Sequence, residues 1–125
     1  MTRFIDANVI VKAFTENDNH VQCREILRED FVTNTLCLIE AYDAISMIKS
    51  NKIYASDCIR SLFKNKGRVV QLDKNLLFES FKRIQKYNLD IFDLIHYVTA
   101  LMNNSSEFVS YDKDFDDFEI KRIEP

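Results

Sequence analysis

Short apolar runs that alternate with longer segments of helical periodicity constrain the fold of this chain more than any other feature. Strand-like runs and amphipathic segments follow one another along the whole sequence, a pattern typical of an α/β fold with a mainly parallel sheet. Among the 125 residues there is one Gly, Gly67, and one Pro, Pro125. No linker, repeat or low-complexity tract interrupts the pattern, so we expect a single domain over residues 1–125.

The predicted elements follow from these periods. Strands are expected at residues 3–5, 31–33, 69–72 and 108–110, with a weak edge strand at 119–123. Helices are expected at residues 8–29 (in two pieces broken around 17–19), 36–49, 54–65, 75–87 and 90–103, with a short helical turn at 113–116. Thr35 is the expected N-cap of the helix that follows it. Gly67 suits the left-handed residue that ends many helices.

The cysteines and the apolar runs indicate the compartment. Cys23, Cys37 and Cys58 are odd in number and contain no CxxC pair, so neither a zinc site nor a disulfide framework is predicted, and we expect three buried thiols. No apolar run approaches the roughly 20 residues that span a membrane, and the N-terminus has no signal-peptide pattern. A cytoplasmic protein without a membrane partner is expected.

Charge is distributed unevenly along the chain. The net charge is −3, yet the segment from Lys49 to Arg68 carries six basic residues and one acid, Asp57. Such a segment is compatible with a phosphate-backbone partner. A solvated helix face explains the same pattern without any partner.

Two carboxylates are predicted at the ends of strands. Asp6 follows the first predicted strand, and Asp112 lies within two residues of the end of the fourth. Ligands of open α/β sheets bind beyond the carboxyl ends of strands, so the two acids would face each other if these strands were neighbours. Local alternatives exist, because Asp6 could simply cap a helix and Asp112 could belong to a turn.

Two further acids lie in apolar segments of predicted helices. Glu40 is surrounded by apolar residues in CLIEAYDAI, where a charge is costly unless it is paired or solvated. Asp93 lies in LDIFDLIHYVTAL, three residues after Asp90. Solvent exposure of the Glu40 face is an alternative, and so is a capping pair made by Asp90 and Asp93, in which either acid could be the functional one.

The acids are explained better together than singly. Clustered carboxylates repel one another unless cations neutralise them, and oxygen ligands favour Mg²⁺ or Mn²⁺ over zinc. The histidines form no rival site: His20 is expected on an exposed helix face, and His96, three residues after Asp93, is expected to have a structural role. The sequence contains no Gly-rich phosphate loop and no GxSxG or HExxH motif.

The sequence resembles the PIN-domain family, including VapC-type toxins of toxin–antitoxin pairs. The matching segments are FIDANVIV, TLCLIEAYDAI, LDIFDLIHYVTAL and FVSYDKDF, which together span nearly the whole chain. The resemblance implies a three-layer fold with sheet order 3-2-1-4-5 and helices on both faces. By position it implies that four acids are the catalytic and metal-binding residues: Asp6, Glu40, Asp93 and Asp112. The supporting residues that it implies are Asn8, Ser110 and, less clearly, Asp116.

The resemblance also implies an activity and partners. The implied activity is that of an endoribonuclease that hydrolyses RNA with Mg²⁺ or Mn²⁺. The implied partners are a cognate antitoxin protein and a second copy of the chain in a homodimer. For the dimer surface, the sequence suggests the apolar residues of the helix before Gly67: Tyr54, Ile59, Leu62 and Phe63. Two other functions stay open, a receiver-type signalling domain and a PIN-like module that binds RNA or protein without catalysis. A receiver domain is disfavoured because the adjacent acid pair and the late lysine that it needs are missing.

Overall fold

A five-stranded, wholly parallel sheet forms the centre of the computed structural model, which describes residues 2–125. Its strands are β1 (Thr2–Ile5), β2 (Val32–Asn34), β3 (Arg68–Val70), β4 (Ser105–Val109) and β5 (Lys121–Ile123). Their order is β3-β2-β1-β4-β5, which confirms the predicted 3-2-1-4-5 arrangement. The central strand β1 therefore pairs with β2 on one side and with β4, the last long strand of the chain, on the other.

Six α-helices and one short 3-10 helix (Lys113–Phe115) connect the strands. The α-helices are α1 (Ala7–Ala13), α2 (His20–Ile26), α3 (Thr35–Lys49), α4 (Lys52–Leu62), α5 (Lys74–Lys82) and α6 (Ile91–Met102). None of the helices within residues 2–125 is long and apolar enough to cross a membrane.

The sheet separates two apolar cores, because successive side chains of a strand point to opposite faces. Phe4 packs in the core beneath α5 and α6, where its ring stacks on Phe108 with centroids 4.9 Å apart. The next residue, Ile5, lies in the opposite core against α1, α2 and much of α3 and α4. Helices therefore cover both faces, as predicted. All three cysteines are free and buried, again as predicted.

The N-terminus of α3 differs from the prediction by one residue. Asn34 is the N-cap, with its Oδ1 accepting a hydrogen bond from the Cys37 amide at 2.7 Å. Thr35, the expected cap, is already the first helical residue, and its hydroxyl accepts a hydrogen bond from the Leu72 amide at 3.0 Å. The pairing of β2 with β3 extends strand β2 to Asn34, so the cap shifts towards the N-terminus.

Two other boundaries were predicted wrongly because tertiary packing decides them. Helix α5 ends at Lys82 instead of continuing to Tyr87. The ring of Tyr87 lies outside the helix and packs against Tyr97 and Phe118. Strand β4 begins at Ser105, earlier than its apolar part suggests, because its polar first half pairs with the start of β1.

Gly67 is required for close packing and not for a left-handed conformation. Helix α4 already ends at Leu62, and the φ angle of Gly67 is not positive. The predicted left-handed stop is therefore wrong. A Cβ atom at this position would overlap the far end of the buried Phe31 ring. The absence of a side chain is what lets the chain pass beside that ring into β3.

Replacing Gly67 with Ala is expected to lower the free energy of unfolding by about 1–3 kcal/mol, the usual cost of overpacking a core. Urea denaturation of Gly67→Ala, compared with Lys66→Ala at the exposed neighbouring position, measures this cost. An unchanged urea midpoint for Gly67→Ala would contradict the packing explanation.

Candidate functional site

The carboxyl ends of β1 and β4 lie side by side at one edge of the sheet. Ile5 and Val109 are paired in the parallel ladder, so Asp6 and Ser110 are the first residues beyond the two strands. The Asp6 amide donates a hydrogen bond to the carbonyl of Val109 at 3.0 Å. This pairing places the two loops that follow the strands in direct contact, although about a hundred residues separate them in sequence.

Asp6 is held by hydrogen bonds to both of its carboxylate oxygens. Oδ1 accepts from the Ala7 amide at 2.8 Å, which makes Asp6 the N-cap of α1. Oδ2 accepts from the Ser110 hydroxyl at 2.7 Å and more weakly from the Asn8 amide group at 3.3 Å. The carboxylate is 5% exposed, and burial raises its pKa. Helix capping and a place in the cleft are therefore both true of this residue.

Ser110 and Asn8 join the two loops into one unit. The Ser110 hydroxyl donates to Asp6 and accepts from the Asn8 side chain and from the Asp112 amide, each at 3.0 Å. The Asn8 Oδ1 accepts from the Tyr111 amide at 3.1 Å. Both predicted supporting residues thus fix the loop after β4 against the start of α1.

Asp112 begins the short 3-10 helix and also lines the cleft. Its Oδ1 accepts a hydrogen bond from the Asp114 amide at 2.9 Å. Carboxylate oxygens of Asp93, Asp112 and Asp114 all lie within 4.8 Å of one another. The sequence analysis did not single out Asp114. Its position two residues after Asp112, in YDKDF, was the one sign that it could lie near the same site. Asp116, the third predicted supporting residue, instead bonds Arg122 at 2.6 Å and is not a lining residue of the cleft.

Asp90 and Asp93 occupy different places. The Asp90 Oδ1 caps α6 by accepting from the Asp93 amide at 2.9 Å. The side chain of Asp93 lines the cleft. Burial and, after it, the negative charges of Asp90, Asp6 and Asp112 together raise the pKa of Asp93 to about 7.

Glu40 reaches the cleft from the middle of α3. Its side chain is 37% exposed, and its Oε1 lies 2.6 Å from Nε2 of His96. His96 is almost wholly buried on α6, one helical turn after Asp93. The alternative of a solvent-exposed Glu40 face therefore applies to only part of the side chain. His20, expected on an exposed face, is half-buried, and its Nδ1 lies 2.9 Å from the Thr15 carbonyl oxygen.

The four predicted acids line a single open cleft of about 570 Å³. The cleft is bounded by Asp6, Ala7, Asn8, Val11, Lys12, Thr15, Glu16, Asn17, Glu40, Ala44, Ile48, Asp93 and Asp112. Lys12 is the only basic residue among them, and its ammonium lies 5.1 Å from the centre of the Tyr111 ring. At one end of the basic segment from Lys49 to Arg68, the ammonium of Lys49 lies 3.2 Å from Glu16, a lining residue of the cleft.

A family comparison agrees with this arrangement. The sequence model of the PIN domain matches residues 3–121. The chain belongs to the PIN domain family. The match includes every acid that lines the cleft, strands β2 to β4, all of β1 except Thr2, and the first residue of β5. No curated protein matches the sequence.

Solved structures share the fold of this PIN domain along nearly its whole length. The sarcin–ricin loop cleaving toxin VapC20 of Mycobacterium tuberculosis superposes with a TM-score of 0.81 at 11% identity, covering 98% of this chain and 99% of that one. A toxin–antitoxin complex from Klebsiella pneumoniae gives 0.76 at 14% identity, with 97% and 95% covered. VapBC2 of Rickettsia felis, bound to a DNA fragment from its promoter, gives 0.71 at 16% identity, with 99% and 98% covered.

The raised pKa of Asp93 has a measurable effect on stability without metal. An acid whose pKa is higher in the folded than in the unfolded state destabilises the fold as pH rises, and here the loss accumulates between about pH 4 and pH 7. In EDTA, Asp93→Asn should therefore raise the melting temperature at pH 8 and have less effect at pH 5. Differential scanning fluorimetry measures the shift, with Asp57→Asn on exposed α4 as the matched control. A lower melting temperature for Asp93→Asn at pH 8 would contradict the charge-repulsion explanation.

Proposed function

We propose that this PIN domain is a metal-dependent endoribonuclease of the VapC-like toxin type. The observation that carries the proposal is the convergence of four acids, from four separate parts of the chain, on one cleft at the carboxyl edge of the sheet: Asp6, Glu40, Asp93 and Asp112. The structural likeness to VapC20, a toxin that cleaves the sarcin–ricin loop, supports a ribonuclease.

The donor groups fit a hard divalent cation. Asp93 and Asp112 offer carboxylate oxygens within 4.8 Å of each other, and the cleft walls add Asp6 and Glu40. The charges of Asp6 and Asp112 raise the pKa of Asp93, and a cation bound between the carboxylates would relieve this repulsion. Mg²⁺ and Mn²⁺ prefer such oxygen ligands. When bound, the ion would supply an activated water and stabilise charge on the phosphate.

The residues of the chain would hold and orient the reacting groups. Asp6 is fixed through both of its oxygens, so its position in the cleft changes little on binding. The ammonium of Lys12 places one positive charge beside the acids, where it would attract a phosphate of the RNA backbone. Because the other wall groups are mainly acidic or apolar, we propose that RNA enters only after a cation is bound.

Asp93 and Asp90 give a matched pair of variants for testing catalysis. Asp93→Asn should remove Mn²⁺-dependent RNA cleavage, with a loss of at least about 100-fold, because the cation that stabilises charge on the phosphate would lose one of its carboxylate ligands. Asp90→Asn should retain cleavage, since Asn caps a helix as well as Asp does. The measurement is cleavage of a pool of RNAs of many sequences, with Mn²⁺ or with EDTA.

Two controls make this comparison decisive. Cleavage that persists equally in EDTA and in Asp93→Asn would come from a contaminating ribonuclease. Mn²⁺ binding, measured by calorimetry, is independent of which RNA is the target. If the folded wild-type protein binds no Mn²⁺ at millimolar concentration, the nuclease proposal fails and the alternative, a PIN module that binds RNA or protein without catalysis, replaces it.

We also propose two protein partners, a second copy of the chain and an antitoxin. Toxin–antitoxin complexes among the similar structures support the second. Of the predicted dimer residues, Leu62 is fully buried, and the Tyr54 hydroxyl donates to the Phe14 carbonyl at 2.7 Å. Phe63 is 60% exposed and lines an apolar groove of about 320 Å³ between α3 and α4, together with Ile59.

Helix α5 offers a second apolar surface that the sequence analysis did not predict. Leu77, Phe78, Phe81 and Ile84 are all exposed, and Phe78 is 63% exposed. Their spacing places them on neighbouring positions of the same helix and the turn that follows it. Clusters of this kind on a small protein usually mark interaction sites.

Light scattering at tens of micromolar should give the mass of a dimer. Phe63→Glu and Phe78→Glu each place a charge in one of the two exposed apolar surfaces, and we expect one of them to yield a monomer because buried unpaired charge is costly. A monomer mass for the wild-type protein would contradict the dimer. Dimers of both variants would exclude both surfaces.

A further inference from the structure

A buried histidine connects two of the proposed metal-binding helices. His96 lies on α6, one turn after Asp93, and its ring is 1% exposed. Its Nε2 lies 2.6 Å from Oε1 of Glu40 on α3. Its other nitrogen, Nδ1, lies 3.1 Å from the side-chain nitrogen of Asn34 at the end of β2. The ring therefore bridges a strand end and the two helices.

The orientation of the Asn34 amide determines what the histidine ring can donate. Oδ1 of Asn34 accepts from the Cys37 amide at 2.7 Å, so the NH₂ group faces the opposite way. That NH₂ group donates to the Thr99 hydroxyl at 2.9 Å, because this hydroxyl uses its own hydrogen on the Ile95 carbonyl at 2.7 Å. The second hydrogen of the NH₂ group points at Nδ1 of His96. Nδ1 is therefore an acceptor, and the ring hydrogen lies on Nε2.

Cys37 is consistent with this assignment. Its sulfur lies 3.3 Å from Nδ1 of His96, and burial raises the pKa of the thiol. A protonated thiol can donate its hydrogen to a nitrogen that accepts. Asn34 and Cys37 can thus both donate to Nδ1, while the group facing Nε2 is a carboxylate.

We propose that His96 is a positioning residue that holds the Glu40 carboxylate in place for the cation. This inference rests on the proposed nuclease function. A part-exposed Glu side chain has several rotamers, and a fixed donor at one oxygen selects the rotamer that points into the cleft. The Nε2–H group orients the carboxylate from a distance of 2.6 Å. Asn34 in turn fixes the histidine tautomer, in the way that outer hydrogen bonds orient the ligands of metal sites.

A purely structural role for His96 predicts a different response to substitution. The ring packs in the core near Phe4, with centroids 6.2 Å apart. If packing were its only role, Leu would replace it better than Gln, which would bury an amide. If it positions Glu40, Gln should replace it better than Leu, because Gln keeps an N–H donor. The two roles therefore predict opposite orders for the two variants.

Mn²⁺ affinity measured by calorimetry tests the order. His96→Leu should weaken Mn²⁺ binding by about 10–100-fold, the usual effect of losing such a supporting hydrogen bond, and His96→Gln should weaken it less. In the Glu40→Gln background, His96→Leu should add no further loss, because the histidine acts through Glu40. Circular dichroism checks that each variant is folded. Leu equal to or better than Gln, or an additive double variant, would overturn the proposal.

NMR of the unsubstituted ring provides a second test, which does not depend on the folding of a His96 variant. The chain has two histidines, so a His20→Gln sample leaves the signals of His96 alone. Nitrogen-15 shifts should show the hydrogen on Nε2, and its proton signal should move in Glu40→Gln. A ring without hydrogen on Nε2, or a signal unaffected by Glu40→Gln, would overturn the proposal.

The outcomes separate this inference from the proposed function. No Mn²⁺ binding by the wild-type protein would remove the nuclease proposal, and with it the cation that His96 is proposed to serve. Wild-type binding that weakens in Glu40→Gln but not in His96→Leu would leave the nuclease proposal intact and overturn the positioning role alone.

Discussion

The parallel pairing of β1 with β4 is the constraint on which the rest of the molecule depends. It joins the first and last thirds of the chain and places Asp6 and Ser110 beyond adjacent strand ends. The hydrogen bonds between them then fix the start of α1 and the loop that leads to Asp112. Because the strands are parallel, their carboxyl ends lie at one edge, and the crossover helices bring the remaining acids to that same edge.

Several acids serve the backbone and the cleft at once. Asp6 caps α1 with one oxygen, and Asp112 caps the 3-10 helix with one of its own. Each helix start thereby holds a carboxylate at a defined place, since the capping hydrogen bond is lost if the side chain turns away. At α6 the two tasks are divided, with Asp90 as the cap and Asp93 in the cleft. An acid that caps a helix can therefore also contribute its carboxylate to the cleft.

The acidic cleft costs stability that other contacts must offset. Burial and neighbouring charges raise the pKa of Asp93, so the metal-free fold carries mutual repulsion at neutral pH. The two apolar cores on opposite faces of the sheet provide the compensating free energy. The donor closest to Asp6 is the Ser110 hydroxyl, and the donor closest to Glu40 is the His96 ring. These donors hold the two carboxylates in fixed orientations.

The sequence by itself determined the strand and helix alternation, the sheet order implied by its family resemblance, and the four acids that the structure brings to one cleft. The alternation depends on local periodicity, which a sequence displays directly, whereas the sheet order and the set of four acids came from the resemblance to the family. Only the tertiary structure decided that Asp114 lies close to Asp93 and that Asp116 pairs with Arg122. It also decided that Gly67 packs against the Phe31 ring and which nitrogen of His96 faces Glu40. Each of these depends on contacts between residues distant in sequence, and local periodicity carries no information about them.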